Sequence, residues 1–341
     1  MHLAFVLISI LGIGYLLIVG ESILAPFFLA FLLALLFRPL AHLLEVRLKF
    51  PRILSTLSCV MIILIAIVGL SVFFSSQLSH FSEDMPGLKN QFETVFNDIQ
   101  IWINNTFDIN TDKQFDYINQ ALDKVMSSSG AIIGLTVGMF SSSLAFIFFC
   151  IIFFIFILSY RKILNTFIID IFSNSHKQKV KETIFEIEKM TKSYLIGVSI
   201  QVLLISILTA ILLSILGVKY AILLGVLTGL LNIIPYIGIG LSGLIACFFA
   251  FATHTPITAV YVIIGYIIIH TIDGNLFLPF IVGSKVKINA LFTFIGILVG
   301  ASLWGIIGMF LCIPALAILK IIFSKIDVLK PWAMVLGEGK K

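Results

Sequence analysis

Long apolar segments alternate with polar stretches along this chain. The apolar segments fall at 3–19, 23–37, 53–74, 131–160, 194–216, 220–251, 257–282 and 288–323. A helix needs about 20 apolar residues to cross a bilayer, and most of these segments reach or exceed that length. The pattern predicts an all-α polytopic membrane protein with about eight hydrophobic segments.

Two of the segments are longer than a single span requires. Segment 220–251 would extend about 48 Å as one helix, whereas the hydrocarbon core is about 30 Å thick. Pro235 interrupts its middle, and Gly300–Gly305 lies near the middle of segment 288–323. Each segment is therefore either a tilted, kinked span or a broken, re-entrant helical hairpin that enters and leaves on one side.

The polar stretches differ in charge, and the difference predicts a topology. Region 161–192 carries seven Lys/Arg against four Asp/Glu, and region 38–52 is also basic, whereas region 75–130 carries three Lys against eight acids. Cytoplasmic loops are enriched in Lys and Arg, which places the two basic regions inside and the acidic region outside. Two hairpins would put Lys285, Lys287 and the basic tail inside as well, so we favour the hairpin interpretation. The N-terminus is also predicted to be cytoplasmic.

The polar regions also have helical patterns. Apolar positions recur at helical spacing in 88–103 and 115–125, with a turn at 108–112. The pattern predicts two extracytoplasmic amphipathic helices, which form either a lid or partner surface or simply pack on the membrane domain. Ser173–His176 interrupts the helical pattern of region 161–192, whose lysines are predicted to meet anionic lipid headgroups.

These observations divide the chain into six parts. The predicted parts are N-terminal transmembrane helices (1–74), an extracytoplasmic amphipathic helical region (75–130), a transmembrane helix (131–160), cytoplasmic interfacial helices (161–192), a transport core with broken helices (193–323) and a cytoplasmic basic tail (324–341).

Composition excludes most other classes of protein. The chain is 60% hydrophobic and 11% charged, whereas soluble domains are about 25% charged. We interpret the net charge of +5 as a signature of topology rather than of nucleic-acid binding. No nucleotide-binding, metalloprotease or serine-hydrolase motif occurs, and the four cysteines lie in apolar segments without metal-ligand spacing. The sequence predicts neither an enzyme nor a cofactor.

The stretch from Ser193 to Ser284 holds the candidate chemistry. Its only fully ionised side chains are Lys219 and Asp273. An acid inside a membrane is costly when ionised and usually faces a cavity or a partner. Asp273 is therefore either a site for a proton, a cation or a polar solute, or a turn residue where the helix breaks at Gly274; the sequence leaves the two interpretations balanced. His270, three positions earlier, is interpreted as a packing residue that could also titrate.

A second polar interruption lies at the Pro235 break. Asn232 can donate and accept hydrogen bonds there, which suits both repair of the broken backbone and contact with a substrate. Tyr236 adds a hydroxyl group, and Gln201 in the preceding segment is a weaker candidate. The predicted substrate or ion pathway comprises Asn232, Pro235, Tyr236, Gly238, Asp273, Gly274, Asn275 and Pro279.

The C-terminal half resembles the autoinducer-2 exporter family of bacterial membrane proteins. The family often has Glu in place of Asp273 and Pro in place of Ile239. The matching blocks are Leu216-Gly-Val-Lys-Tyr-Ala221, Leu230-Leu-Asn-Ile-Ile-Pro-Tyr-Ile-Gly238, Asp273-Gly-Asn-Leu-Phe-Leu-Pro279, Val282-Gly-Ser284 and Gly305-Ile-Ile-Gly-Met-Phe-Leu-Cys-Ile-Pro314.

The resemblance implies a multi-pass protein of the bacterial inner (cytoplasmic) membrane with bent helices and re-entrant hairpins. It also implies a homo-oligomer, a pentamer being one form, and elevator-like alternating access. Its members include exporters of a small polar signal and proteins that look like sodium/proton antiporters. We therefore expect a secondary transporter that exports a small polar solute. A cation/proton antiporter and a non-transporting membrane scaffold remain as alternatives.

Overall fold

The structure, a computed structural model, describes residues 2–107, 129–234, 238–253, 256–277 and 288–337. Its helices are α1 (His2–Val19), α2 (Glu21–Arg47), α3 (Arg52–Phe107), α4 (Ser129–Asp170), α5 (Lys177–Ile215), α6 (Ala221–Leu231), α7 (Gly238–Thr253), α8 (Pro256–Ile272), α9 (Ala290–Lys325) and α10 (Lys330–Leu336). Within the described ranges, the only strand-like pairing is an isolated bridge between Ile288 and Gly337. The all-α prediction is confirmed.

Six helices in this part of the chain are long and apolar enough to cross a membrane. They lie at Glu21–Arg47, Arg52–Gln77, Leu144–Asp170, Lys177–Ile215, Ile257–Phe277 and Ala290–Lys325. Helices satisfy every backbone hydrogen bond internally, as the bilayer interior demands. Their large apolar side chains are widely exposed, which suits contact with lipid and makes the chain an integral membrane protein.

Several helices continue across the boundaries predicted from sequence. α3 runs without a break past residue 74 and contains the helical pattern at 88–103. α4 continues past residue 160 and α5 past residue 192, with the predicted interruption at 173–176 lying in the turn between them. The predicted turn at 108–112 and helix at 115–125 lie outside the described residues.

Small residues bring α2 close to α4. Ala30 and Ala34 of α2 are buried against Phe154 and Leu158 of α4. In lipid the hydrophobic effect does not drive helices together, so their association depends on close packing. Small side chains allow the helix backbones to approach closely. Near the Lys177 end of α5, Glu45 of α2 pairs with Arg161 of α4 at 2.5 Å.

The first over-long segment folds back on itself as α6 and α7, which we call the first hairpin. α6 lies antiparallel against α5, so closely that a Cβ on Gly225 would lie 2.7 Å from the Cβ of Ala210. At its open end, the rings of Tyr220 and Phe249 are 6.0 Å apart. The first hairpin therefore has both of its ends beside the Ile215 end of α5.

The second over-long segment, α9, also folds back and is called the second hairpin. Its backbone leaves helical geometry at Trp304 (φ −138°, ψ 27°) and Gly305 (φ 57°, ψ −136°). The positive φ of Gly305 is unfavourable for residues that have a side chain, so glycine suits the turn. Gly300 and Gly308, on opposite arms, touch backbone to backbone.

The open end of the second hairpin lies at the other end of α5. Lys325 Nζ donates to Glu186 at 2.6 Å, and Asn289 N donates to Leu336 O at 2.9 Å. Glu186 is about 44 Å from Ile215 along the axis of α5, at 1.5 Å per residue. The two hairpins therefore approach the middle of α5 from opposite ends.

Contacts at the tip show how far the second hairpin reaches. Trp304 Nε1 donates to Leu17 O at 2.9 Å, and its ring lies 5.7 Å from that of Phe28. Phe28 is about 15 Å along α2 from Arg38, whose guanidinium pairs with Glu188. The tip thus lies about 15 Å along α2 from the level of the Arg38–Glu188 pair.

Candidate functional site

A buried carboxylate joins three separate elements of the structure. Asp273, only 6% exposed, begins a π-helical stretch at 273–277 that follows α8. Its Oδ1 accepts a hydrogen bond from Gln201 Nε2 of α5 at 2.7 Å. Its Oδ2 accepts from Asn232 Nδ2, at the end of α6, at 3.4 Å. We call Gln201, Asn232 and Asp273 the Asp273 site.

Local backbone geometry explains why these side chains converge. In a π-helical turn each backbone hydrogen bond joins residues five positions apart, instead of four as in an α-helix. Such turns are frequent at functional sites. The stretch places Asp273 on the buried side, whereas Gly274, Asn275 and His270 are exposed. Asn275 Nδ2 donates to Thr271 O at 2.9 Å, so it supports the turn's own backbone.

The carboxyl group of the Asp273 site is hydrogen-bonded to amide side chains. Both hydrogen-bond donors to the carboxylate are neutral amides, and no Lys, Arg or His side chain of the described residues pairs with Asp273. The same residues hold no group of three or more His, Cys, Asp or Glu that could bind a metal ion. A buried carboxylate without a cationic partner can bind a proton, a cation or a solute with hydrogen-bond donors.

The position of Gln201 sets the depth of the site. Gln201 is about 20 Å along α5 from Glu188, at the end where the second hairpin opens. It is about 21 Å from Ile215, at the end where the first hairpin opens. The Asp273 site therefore lies midway between Glu188 and Ile215 along α5.

A second buried polar pair supports the first hairpin. Thr228 Oγ1 of α6 donates to Leu224 O at 2.7 Å and lies 2.8 Å from the hydroxyl of Tyr266 in α8. Because the single hydroxyl proton of Thr228 goes to Leu224, Tyr266 donates to Thr228. This bond joins α6 to α8, one turn away from Asn232.

Comparison with known proteins places the chain in a family. The model of the AI-2E family transporters matches residues 3–327, nearly the whole chain. The chain belongs to the AI-2E transporter family. The proteins of this family are described as transporters.

Individual relatives of this AI-2E protein are distant. The AI-2 transport protein TqsA of Escherichia coli (strain K12) is 23% identical over 327 residues, covering 94% of this chain and 91% of TqsA. The putative transport protein YrrI of Bacillus subtilis (strain 168) is 30% identical over 136 residues, 40% of this chain and 38% of YrrI. YueF of the same organism is 38% identical over 111 residues, 32% of this chain and 30% of YueF. The chain thus matches about a third of the length of each Bacillus relative.

The structure groups only part of the predicted site of this AI-2E transporter. Asn232 and Asp273 meet, and Gly238 is buried so close to Leu231 that a side chain there would overlap its carbonyl. Gly274 and Asn275 are exposed beside them. Pro235, Tyr236 and Pro279 lie outside the described residues.

Sequence reasoning underrated one residue and missed two others. Gln201, considered only a weaker candidate, makes the shortest hydrogen bond to Asp273. Its signal was a lone amide in an otherwise apolar segment. Thr228 and Tyr266 carried no signal, because single hydroxyl side chains are common in membrane helices.

Proposed function

We propose that this protein exports a small polar solute, such as an autoinducer-2-like signal, by secondary transport with elevator-like alternating access. The single observation that carries the proposal is the buried carboxylate of Asp273, held by Gln201 and Asn232 midway between Glu188 and Ile215 of α5. A buried acid with polar partners between membrane helices is typical of a transport pathway. The name of TqsA suggests the class of solute.

In this proposal both hairpins are re-entrant and meet the pathway from opposite sides of the membrane. Transporter sites typically form where broken helices meet near the bilayer midplane. Asn232 provides hydrogen bonds, Asp273 contacts a proton, a cation or the solute, and the prolines and glycines shape the breaks. The proposed pathway residues are those of the sequence analysis, namely Asn232, Pro235, Tyr236, Gly238, Asp273, Gly274, Asn275 and Pro279, joined by Gln201.

A cation/proton antiporter is the second candidate, and one observation favours it. Asp273 lacks a cationic partner within the described part of the chain. A carboxylate in that setting can exchange a proton for a metal cation, with the amide oxygens of Gln201 and Asn232 as further oxygen ligands after rotation. Under this hypothesis Asp273 changes protonation during every cycle.

Flux into liposomes tests the proposal. The purified protein is reconstituted and assayed with labelled autoinducer-2, unrelated polar solutes, and sodium and pH gradients in turn. Solute flux driven by an ion gradient supports the exporter, and sodium-dependent proton flux without solute supports the antiporter. If no condition gives flux above that of empty liposomes, both transport hypotheses fail and a membrane scaffold is favoured.

We further propose a location in the bacterial inner membrane with both termini in the cytoplasm and region 75–130 outside. Homo-oligomers, pentamers among them, are proposed because the resemblance implies them.

Cysteine labelling tests the proposed topology. In a background without native cysteines, we expect cysteine at position 285 to resist a membrane-impermeant maleimide added to right-side-out vesicles. Cysteine at position 219 serves as the matched control, because Lys219 is exposed beside the open end of the first hairpin. It should react readily. External labelling of position 285 would rule out the two-hairpin topology.

A further inference from the structure

A basic cavity of about 800 Å³ lies between α2, α4 and α5, away from the Asp273 site. Its charged lining comes from all three helices and includes Arg38 of α2, Arg161 and Lys162 of α4, and Lys189 and Lys192 of α5. It lies at the Lys177 end of α5, beside the open end of the second hairpin. Neither the transport mechanism nor the family assignment uses it.

The cavity keeps an excess of positive charge after its own acids are paired. Glu45 pairs with Arg161 at 2.5 Å, and Glu188 pairs with Arg38. Lys162, Lys189 and Lys192 form no ion pair within the described ranges. Three exposed ammonium groups therefore surround one opening. A phosphate group complements them in both charge and hydrogen-bonding capacity.

An apolar cleft of about 530 Å³ adjoins the basic cavity and shares Arg38, Arg161 and Glu188 with it. Its inner wall includes Phe27 and Phe31 of α2, and Phe153 and Phe156 of α4. Arg38 and Phe27 are about 16 Å apart along α2. This distance is similar to the thickness of hydrocarbon in one leaflet, which is about 15 Å. A basic opening thus leads into a groove as long as one leaflet is thick.

We propose that the cavity and cleft together bind one anionic glycerophospholipid. Its phosphate lies among Lys162, Lys189 and Lys192, and one acyl chain lies along the phenylalanines of the cleft. Basic pockets between membrane helices recognise acidic lipid headgroups in this way. Both halves of the site contribute to recognition. A free anion makes no contact with the apolar cleft, and a neutral lipid gains no electrostatic attraction from the lysines. The bound lipid bridges α4 to α5, which carries Gln201.

The ligand is tested with the full chain, purified in a detergent of neutral headgroup. Thermal unfolding is followed while dioleoylphosphatidylglycerol, dioleoylphosphatidylcholine, glycerophosphoglycerol or inorganic phosphate is added. A ligand that binds only the folded state raises the melting temperature, and the rise grows with the ratio of its concentration to its dissociation constant. We expect stabilisation by phosphatidylglycerol alone. Equal stabilisation by phosphatidylcholine would overturn the role of the lysines. Equal stabilisation by inorganic phosphate or by the deacylated headgroup would show an anion site and overturn the lipid assignment.

Paired variants of α5 test the position of the site. The K189Q/K192Q variant should bind phosphatidylglycerol about 30-fold more weakly, since each lysine near an anionic lipid contributes about 1 kcal/mol and 1.4 kcal/mol is tenfold. K179Q/K181Q makes the same charge change on the same helix outside the cavity and should bind normally. All four side chains are exposed, so folding is preserved. Equal loss in both variants would contradict the proposed site and indicate general surface attraction.

Discussion

Replacing Asp273 by Asn is expected to reduce gradient-driven flux to the level of empty liposomes while the protein stays folded. Asn has nearly the shape of Asp, and its oxygen can still accept the hydrogen bond that Gln201 donates at 2.7 Å. It cannot take up and release a proton or attract a cation as a carboxylate does. The loss would therefore report the chemistry of the Asp273 site rather than its packing.

Two further variants sharpen this prediction. Asp273→Glu should keep part of the flux, because it retains a carboxylate at the Asp273 site. Asp327→Asn is the matched control. Asp327 is exposed, and its hydrogen bond with Lys330 lowers its pKa, so the substitution also removes one negative charge. Normal flux is expected for Asp327→Asn.

The pattern of loss distinguishes the two transport hypotheses. If Asp273→Asn abolishes sodium/proton exchange, the antiporter is favoured. Loss of solute export with intact ion exchange would count against the antiporter and favour direct contact with solute. Wild-type flux of every kind in Asp273→Asn would contradict both, and would make Asp273 a residue of the helix break alone.

Replacing Gly308 by Leu is expected to open the second hairpin and to destabilise the protein strongly. A Cβ at Gly308 would overlap the backbone carbonyl of Gly300 on the opposite arm. Backbone atoms cannot move aside as the end of a flexible side chain can, so the two arms must separate. Overpacking in a tight core typically costs about 1–3 kcal/mol, and this contact lies at the more severe end.

Thermal melting and size-exclusion chromatography in detergent measure the effect. We expect Gly308→Leu to melt several degrees lower or to aggregate, and Gly308→Ala to show a smaller effect in the same direction. Gly69→Ala in α3 is the matched control, because nothing lies within 4 Å of a Cβ at that position. A Gly308→Leu protein as stable as the control would show that the two arms are not closely packed.

Much of this fold can be predicted from the sequence because its signals are local. Apolar segments predict helices, since a chain in lipid must satisfy its backbone hydrogen bonds within each helix. Pro235 and Gly300–Gly305 mark the breaks in segments too long for one span. The resemblance from Leu216 to Pro314 indicated the family that the match over residues 3–327 established. The charge pattern also predicted a topology, which the cysteine-labelling experiment tests.

The contacts of the Asp273 site could be identified only from the tertiary structure, because they join residues that are distant in the sequence. Asp273 was evident as a lone acid in apolar sequence, but the sequence could not decide between a site and a turn. Its partner Gln201 is on another helix, and nothing in the spacing indicates which polar residue of α5 faces α8. The same is true of Gly308 against Gly300, whose contact depends on the sharp turn at Gly305.

The sequence by itself determined that the chain is helical, lies in a membrane and is broken at two over-long segments. Hydrophobicity, length and helix-breaking residues act on each segment separately, so each can be predicted without its neighbours. Only the tertiary structure decided that the hairpins open near Glu186 and near Ile215 of α5, and that Gln201, Asn232 and Asp273 meet midway between these two levels. Those relations arise from the packing of helices distant in sequence, where close contact between small residues fixes which polar side chains can reach one another.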